Sequence, residues 1–542
     1  MNFAGALVLV AVAHGVAYTL CMRELLHLLQ LESYQLPGYF RALKRVGWRV
    51  CLPGVIMIIL LPAIMHIASL LPWWGFSDIL DVARASAPAL LCGGGVYAWL
   101  RKRPAKKALA FTPRMVRLFV ASCIVQTLLV ALLFDLVVVL DAAKPTWLPI
   151  TYFAAFLLPL FNPLWVALTA WLVRPLEARV NRWFFQDAQR VLRDRQGLIR
   201  IGITGSYGKT SAKFLLATLL AERYNVLATP GSFNTPMGLA RVIREQLAPE
   251  HQVFIAEMGA RHVGDIRELC ELVGPSIGLL TSVGPQHLET MGTIERVTET
   301  KYELIQSLPR DGAAFFGRGN EICERLFARC PLKEKHLAGE RLRAEDIEVG
   351  PFGSRFTLVD GQGHRVHCQT KLLGTHNIDN LLLCAEAALQ LGLTLDELAA
   401  GIAKLQPVEH RLQLIDAGNG VTVIDDAFNS NPAGAKSALD VLRGFSPARR
   451  IVITPGMVEL GPQQDALNET FGRQMADSAD IAILIGRRRV EPIVRGLEKG
   501  GFDAANLHVV STLDESTALL ATLARPGDAV LYENDLPENY AE

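Results

Sequence analysis

The apolar residues of this chain are concentrated in its first third. Five stretches there each supply the roughly 20 mostly apolar residues that a helix needs to cross a bilayer. They lie near residues 3–22, 50–71, 79–100, 118–140 and 147–173. The remainder of the 542 residues has the composition of an ordinary soluble protein. We therefore predict a helical membrane domain of about five helices over residues 1–175, followed by soluble domains.

The loops between these stretches differ in charge. Residues 23–49 contain five lysines or arginines and residues 101–117 contain seven, whereas the two intervening connections contain a single lysine. Basic loops stay on the cytoplasmic side of a membrane. This pattern predicts a multi-pass protein of the cytoplasmic (inner) membrane, with its N-terminus outside and everything after Arg174 in the cytoplasm. The first stretch lacks the basic residues that precede the core of a signal peptide, so we predict a span there.

Charge and cysteine content exclude several classes of protein. The formal net charge is +1, which gives no indication of nucleic-acid binding. Nine cysteines are scattered singly, without a CxxC pair or a neighbouring histidine at ligand spacing. Neither a disulfide framework nor a zinc site is indicated, and a reducing compartment is the simplest interpretation for the soluble part.

Residues 176–197 are rich in arginine and include Trp183, Phe184 and Phe185. This composition is typical of an amphipathic linker that lies along the lipid headgroups. A solvated charged helix fits the same pattern equally well.

A nucleotide-binding pattern begins just after this linker. An apolar strand is followed by a glycine-rich turn and a helix, with the letters GITGSYGKTS at residues 202–211. In such a turn, backbone N–H groups and the positive end of the helix bind phosphate oxygens, a lysine reaches the β and γ phosphates, and a threonine holds magnesium. The spacing departs by one position from the common phosphate-loop motif, because residue 203 is Ile. The predicted nucleotide-binding residues are Gly205, Ser206, Gly208, Lys209, Thr210 and Ser211.

Seven further motifs follow in order. They are TPGSFNTPMG at 229–238, EMGA at 257–260, HLE at 287–289, KYE at 301–303, HNIDN at 376–380, HRL at 410–412 and DDAFNSNP at 425–432. With the variant phosphate loop, these motifs resemble the Mur ligase family, and within it the branch that adds D-alanyl-D-alanine in peptidoglycan synthesis. The resemblance covers about residues 198–500. It implies a central ATP-binding α/β domain over 198–411 and a Rossmann-like C-terminal domain over 412–542.

The resemblance also implies a reaction. ATP and Mg²⁺ would activate a carboxylate as an acyl phosphate, and an amine would then displace phosphate. The residues expected to take part in catalysis are Lys209, Lys301 and His287, and those expected to bind the metal are Thr210, Glu257, His287 and Lys301. Lys301 is expected to carry a carbamate. Nucleotide contacts are implied for Asn377, Arg411 and Asp426.

Each of these residues also has an ordinary structural interpretation. Glu257 ends an apolar strand and would otherwise be a surface glutamate, and Lys301 would be a solvated helical lysine. Asn377 would serve as a helix cap, and Asp426 as a turn residue. The combination of an intact loop with Lys209, Glu257 and Lys301 favours an active enzyme over a nucleotide-binding membrane regulator that has lost ligation.

Two departures leave the substrates open. The soluble family members begin with a domain that binds a UDP-sugar, and residues 1–195 offer no α/β segment to replace it. The acid could be a UDP-muramoyl-peptide or a lipid-linked carboxylate presented at the membrane, and the amine an amino acid or a dipeptide. The family's basic stretch after the last strand is replaced by an acidic one, in which Glu533 and Asp535 are expected to repel a substrate carboxylate.

Overall fold

The computed structural model describes residues 3–69, 78–102, 108–143, 156–286, 288–416, 418–428, 430–446 and 448–535. The chain divides into two compact units, with the division between Asn181 and Arg182. Of the residues predicted to form the site, His287 lies outside the described residues, so its assignment stays a prediction.

The first unit is helical throughout its described residues. Its helices are α1 (Phe3–Leu20), α2 (Arg23–Leu31), α3 (Leu36–Val46), α4 (Leu52–Ser69), α5 (Asp78–Arg101), α6 (Pro113–Ala143) and the greater part of α7 (Asn162–Arg193). The described residues before Ile199 contain no strand, as the sequence predicts.

Some of these helices have the length and composition of membrane spans. Leu36–Ile67 and Pro113–Leu136 meet both criteria, and the pair Gly5–Leu20 and Arg23–Leu31, bent by 51°, would make a third if it counts as one span. The predicted stretch at 79–100 forms α5 but is not among these helices. The predicted stretch at 147–173 lies partly outside the described residues.

Helix α6 has its apolar face turned outward. Ile124, Leu128 and Leu132 follow one another every four residues and therefore share a face, and they are 55–65% exposed. Ser122 and Gln126 face inward and are completely buried. A helix in a water-soluble protein shows the opposite arrangement.

The second unit begins with a six-stranded parallel sheet in the order β2-β3-β1-β4-β5-β6. Its strands are short, and the four central ones, β1, β3, β4 and β5, are apolar and mostly buried, which is typical of a sheet covered on both faces. They are β1 (Ile199–Thr204), β2 (Val226–Ala228), β3 (Val253–Glu257), β4 (Ile277–Leu280), β5 (Ala313–Phe316) and β6 (Glu334–Leu337). The connecting helices are α8 (Lys209–Leu220), α9 (Pro236–Gln246), α10 (Asp265–Val273), α11 (Leu288–Met291), α12 (Ile294–Gln306) and α13 (Glu321–Arg329).

A small antiparallel sheet and two helices complete this part of the unit. The sheet consists of β7 (Leu342–Gly350), β8 (Gly353–Asp360) and β9 (Arg365–Thr370). The helices are α14 (Thr375–Gln390), which packs on α8, and α15 (Leu395–Lys404). Together they cover one face of the parallel sheet, where Leu216, Leu381 and Leu398 lie in one buried core.

The last part of the chain forms a second six-stranded sheet, ordered β10-β11-β15-β12-β13-β14. Only the β10–β11 pair is antiparallel. The strands are β10 (Gln413–Asp416), β11 (Thr422–Asp426), β12 (Arg450–Thr454), β13 (Ile481–Ile485), β14 (Leu507–Val510) and β15 (Ala529–Glu533). The helices are α16 (Pro432–Arg443), α17 (Gln464–Ala476), α18 (Glu491–Lys499) and α19 (Leu513–Leu523).

The aromatic residues of the predicted linker contact the soluble unit. The Arg244 guanidinium of α9 lies 5.0 Å from the Trp183 ring centroid and 4.5 Å from that of Phe184. Its Nε also donates to Asp187 at 2.6 Å. The ring of Trp183 nevertheless remains 56% exposed. Part of the linker is therefore a packed extension of the soluble unit.

Candidate functional site

The site forms at the point in the parallel sheet where the strand order reverses. Strand β1 lies between β3 and β4, and all three run parallel. Chain segments that leave neighbouring parallel strands in opposite directions open a crevice at their carboxyl ends, where ligands bind in such sheets. The turn after β1, Glu257 at the end of β3 and Thr281 after β4 meet at this crevice.

Two glycines shape the turn after β1. Gly205 has φ 152° and Gly208 has φ 79°. A Cβ on Gly205 would lie 2.1 Å from Thr281 Oγ1, so the close approach to the β4 loop requires glycine. Gly208 is the N-cap of α8, so the first residues of that helix, including Thr210 and Ser211, directly follow the glycine-rich loop.

Lys209 folds over the turn. Its Nζ donates to the carbonyl oxygens of Gly205 at 2.6 Å and of Ser206 at 3.0 Å. Burial lowers the pKa of Lys209 to about 8, opposed by the nearby Glu257 carboxylate and assisted by the Arg411 guanidinium. The loop thus holds the Lys209 ammonium where the oxygens of a bound phosphate would replace the two carbonyl oxygens as its acceptors.

Glu257 is the carboxylate of this crevice, and it is 1% exposed. Its Oε1 accepts from the Thr210 hydroxyl at 3.2 Å and from the Asn234 amide at 3.1 Å. Its Oε2 accepts from Lys213 at 3.0 Å. A carboxylate beside a hydroxyl is a donor set that suits Mg²⁺, which binds proteins through one or two such oxygens and completes its shell with phosphates and water.

Lys301 lies on α12 and is 1% exposed. Burial lowers its pKa well below the ordinary value, and the positive charge of Lys209 lowers it further. Two residues on, Glu303 accepts from the backbone N–H groups of Gly264 at 3.0 Å and Arg267 at 3.0 Å. This carboxylate ties α12 to the first turn of α10 and so fixes the helix that presents Lys301.

Asn377 has a local partner rather than the cap role that its position allows. The N-cap of α14 is Gly374, which makes no side-chain capping bond. The Asn377 amide instead donates to the Leu373 carbonyl at 2.8 Å, and the residue is 8% exposed.

The HRL and DDAFN motifs contact each other. His410 Nδ1 lies 2.7 Å from Asp425 Oδ2. The Leu412 N–H donates to Asp426 at 3.2 Å. His410 and Leu412 have φ of 57° and 47°, so the backbone is held in an unusual conformation on both sides of Arg411. The start of the C-terminal sheet is therefore fixed to Asp425 and Asp426 at the end of β11.

Arg411 lies within electrostatic range of a carboxylate of the first sheet. Its guanidinium lies 4.6 Å from the Phe428 ring centroid. Burial lowers its pKa, and the negative charges of Asp426, Glu257 and Glu533 oppose that shift. One arginine thus lies in the electrostatic range of carboxylates from both sheets. Lys209, Glu257 and Arg411 therefore lie within electrostatic range of one another, and their roles in binding nucleotide and metal stay predictions.

The expected repulsion by Glu533 is wrong. Glu533 ends β15, beside Asp426 in the register of the β11–β15 pair, and is completely buried. Burial and the Asp426 charge raise its pKa well above the ordinary value, while Ser430 donates to its Oε1 at 2.5 Å. A carboxyl group with no exposed surface, whose burial favours its neutral form, does not meet a substrate carboxylate. Asp426 also has a raised pKa, mainly because of burial.

Lys213, Asn234 and Ser430 belong to the site but were not predicted as site residues. Asn234 and Ser430 lie within motifs quoted above, and Lys213 follows Lys209 by four residues in the same helix. Residues four apart share a helix face. That spacing is the signal from which a second lysine at the site could have been predicted.

Two family models match the soluble unit. The Mur ligase middle domain matches residues 203–388, and the Mur ligase glutamate ligase domain matches residues 410–532. The UDP-N-acetylmuramoyl-tripeptide–D-alanyl-D-alanine ligase of Mycobacterium tuberculosis is 33% identical over 365 residues, which are 62% of this chain and 70% of the relative. This chain belongs to the Mur ligase family. The enzyme of the same name from Escherichia coli K12 is 29% identical over 331 residues, or 58% of this chain and 72% of the relative.

Solved structures agree on the fold. MurF from Acinetobacter baumannii superposes with a TM-score of 0.61 at 24% identity, covering 66% of this chain and 78% of the other. MurF from Thermotoga maritima in complex with ADP gives a TM-score of 0.59 at 23% identity, covering 67% and 81%. The predicted Mur ligase fold of the middle and C-terminal parts is confirmed. As a Mur ligase, the chain is an ATP-dependent ligase that forms ADP and phosphate.

Proposed function

We propose that this Mur ligase joins D-alanyl-D-alanine to a UDP-muramoyl-tripeptide at the cytoplasmic face of the membrane. The observation that carries the proposal is the convergence of Lys209, the Thr210–Glu257 pair and Lys301 on one crevice, in a chain whose relatives bear that activity in their names. In this proposal the chain acts in the synthesis of peptidoglycan precursors.

The chemistry follows from the groups in the crevice. A carboxylate oxygen of the acid attacks the γ-phosphorus of ATP, ADP leaves, and the amine then attacks the acyl carbon and displaces phosphate. Lys209 neutralises charge on the transferring group, because its ammonium leaves the carbonyls of Gly205 and Ser206 for phosphate oxygens. Thr210 and Glu257 would hold Mg²⁺, which neutralises charge on the β and γ phosphates. Arg411, which lies just before the C-terminal sheet, adds a positive charge within electrostatic range of Glu257.

Lys301 has the properties that carbamate formation requires. Burial lowers the pKa of this amine and so favours its neutral form, which is the form that adds to CO₂. The product would be an anion beside Lys209, which converts a repulsion between two lysines into an attraction. We propose that carbamylated Lys301 and His287 complete a second metal position.

We propose that the N-terminal helices lie in the membrane. The exposed stripe of Ile124, Leu128 and Leu132 on α6 supports this placement, because large apolar faces are rare on water-soluble monomers. The buried Ser122 and Gln126 fit the same arrangement, since polar side chains in lipid face the bundle interior. The basic segments at 23–49 and 101–117 support a cytoplasmic position for the catalytic domains, where ATP is available.

A second candidate acid is a lipid-linked carboxylate. It is favoured by the absence of strands from the described residues before Ile199, where a sugar-nucleotide domain would require an α/β segment. A membrane unit in that place would bring the enzyme to a lipid-borne substrate. The amine would then be an amino acid or dipeptide of another pathway.

The test is ADP release by the detergent-solubilised chain against a panel of acids and amines, with Lys209→Ala as the inactive control. We expect ADP with UDP-muramoyl-tripeptide plus D-alanyl-D-alanine, and much less with either substrate alone. Turnover only with a lipid-linked acid would establish the second candidate. Nucleotide binding without turnover on any pair would contradict both.

A further inference from the structure

Lys213 is a second lysine in the site, with surroundings unlike those of Lys209. Lys209 is half-buried and contacts the phosphate loop, whereas Lys213 is completely buried. Its Nζ donates to Glu257 Oε2 at 3.0 Å and to the Gly231 carbonyl, and it lies 4.6 Å from the Phe214 ring centroid. The lysine therefore joins α8 to the end of β3 and to the loop after β2.

The contacts of Glu257 leave little negative charge for a free cation. Oε2 is paired with the ammonium of Lys213, and Oε1 accepts from Thr210 and Asn234. Among the described residues, no group of three or more histidines, cysteines or acids forms a cage that could hold a metal. A divalent ion arriving alone would meet one carboxylate whose charge is already matched inside a buried pair, where charges interact strongly.

We infer that Lys213 makes magnesium binding at Glu257 depend on the nucleotide. Its resident positive charge repels a metal that arrives alone, and the phosphates of a bound nucleotide supply the negative charge that overcomes this repulsion. Lys213 is then a positioning residue that acts through Glu257. The inference deepens the proposed ATP-dependent reaction and rests on it only for the identity of the metal.

This role separates the two lysines by function. Lys209 attracts the phosphates, and Lys213 prevents the carboxylate from holding metal before they arrive. The benefit is a site that does not retain an ion in a geometry of its own, because Mg²⁺ requires a near-ideal octahedral shell that the nucleotide oxygens help to form. The hydrogen bond from Lys213 to Gly231 also holds the loop that carries Asn234 in place, whether or not metal is present.

The test measures metal binding without the acid or the amine. Its result is therefore informative even if the proposed ligase activity is not found. Mn²⁺ replaces Mg²⁺ as the probe, and its binding to the full detergent-solubilised chain is followed by electron paramagnetic resonance, with and without ADP. For the native chain we expect Mn²⁺ to bind at this site only with ADP. For Lys213→Gln, which keeps a donor but loses the charge, we expect Mn²⁺ alone to bind at least about tenfold more tightly, because a unit charge at hydrogen-bond distance has been removed.

Two controls separate this role from a structural one. Lys213→Arg keeps the charge and should keep the dependence on ADP. Glu257→Gln combined with Lys213→Gln should lose the new binding of Mn²⁺ alone, which locates the metal at Glu257. The inference is overturned if folded Lys213→Gln binds MnADP but shows no gain for Mn²⁺ alone.

The native chain provides an independent test should the Gln variant fail to fold. Equal affinity of the native chain for Mn²⁺ with and without ADP would contradict the inference by itself. Binding that appears only with ADP, and is lost in Lys209→Ala because the phosphates are held less well, would support it.

Discussion

Raising the pH from 7 to 9 should weaken nucleotide binding through Lys209. The pKa of this lysine is about 8 in the free chain, because burial disfavours its charged form. The cation fraction then falls from about nine-tenths at pH 7 to about one-tenth at pH 9, so the affinity for MgADP should fall about tenfold, or ~1.4 kcal/mol.

The assay is calorimetric titration of MgADP into the detergent-solubilised chain at pH 7, 8 and 9. The matched control is Lys209→Arg, whose guanidinium stays charged over the whole range. Its affinity at pH 7 should be lower because the longer side chain fits the loop less well, but its profile should be flat. If the affinity of the native chain does not change between pH 7 and 9, or if that of the Arg variant declines equally, the titration of Lys209 does not control nucleotide binding.

Three further predictions concern single side chains. Glu257→Gln should abolish substrate-dependent ADP release. It should also lower the unfolding temperature, because Lys213 stays buried without its carboxylate, which costs about 3–5 kcal/mol of stability for a pair of this kind. An unchanged melting curve would contradict this expectation. Lys301→Ala should remove a carbamate signal that ¹³C-bicarbonate gives in the NMR spectrum of the native chain, and a native chain without that signal would exclude the modification. The raised pKa of Glu533 means that the folded state binds this proton more tightly than the unfolded chain, so the contribution of Glu533 to stability should fall as pH rises above the ordinary glutamate pKa, by at most about 1.4 kcal/mol per unit. Glu533→Gln should flatten that dependence in thermal unfolding at pH 5, 6 and 7, and an equal slope in both chains would contradict a protonated Glu533.

The local motifs allowed much of the site to be predicted. The glycines at 205 and 208, Lys209 and Thr210 are contiguous in sequence, and a strand, turn and helix in succession fix their geometry. Glu257 was predictable because the end of a buried parallel strand is where ligands bind in such sheets.

Contacts between distant segments were not predictable in the same way. Lys213 meets Glu257 across 44 residues of sequence, and the pairing depends on the packing of α8 against β3. The expected charge of Glu533 failed for a similar reason. Its burial beside Asp426 follows from the register of β11 and β15, which the acidic letters alone do not reveal.

The N-terminal helices were only partly predictable from hydropathy. Five apolar stretches are evident in the sequence, but bends and breaks in the helices decide whether a stretch can cross a membrane as one span, as at the 51° bend between Leu20 and Arg23. Outward-facing apolar residues on α6 are a property of its packing that average hydropathy does not separate from a buried helix.

An acyl phosphate is the expected intermediate when this chain forms an amide. The most direct test uses UDP-muramoyl-tripeptide labelled with ¹⁸O in the reacting carboxylate, incubated with ATP, Mg²⁺, D-alanyl-D-alanine and the solubilised chain. Since the attacking carboxylate oxygen stays on the phosphorus when the amine displaces phosphate, we expect one ¹⁸O in each phosphate released. Phosphate without label, formed alongside ADP, would show simple ATP hydrolysis and contradict an acyl phosphate.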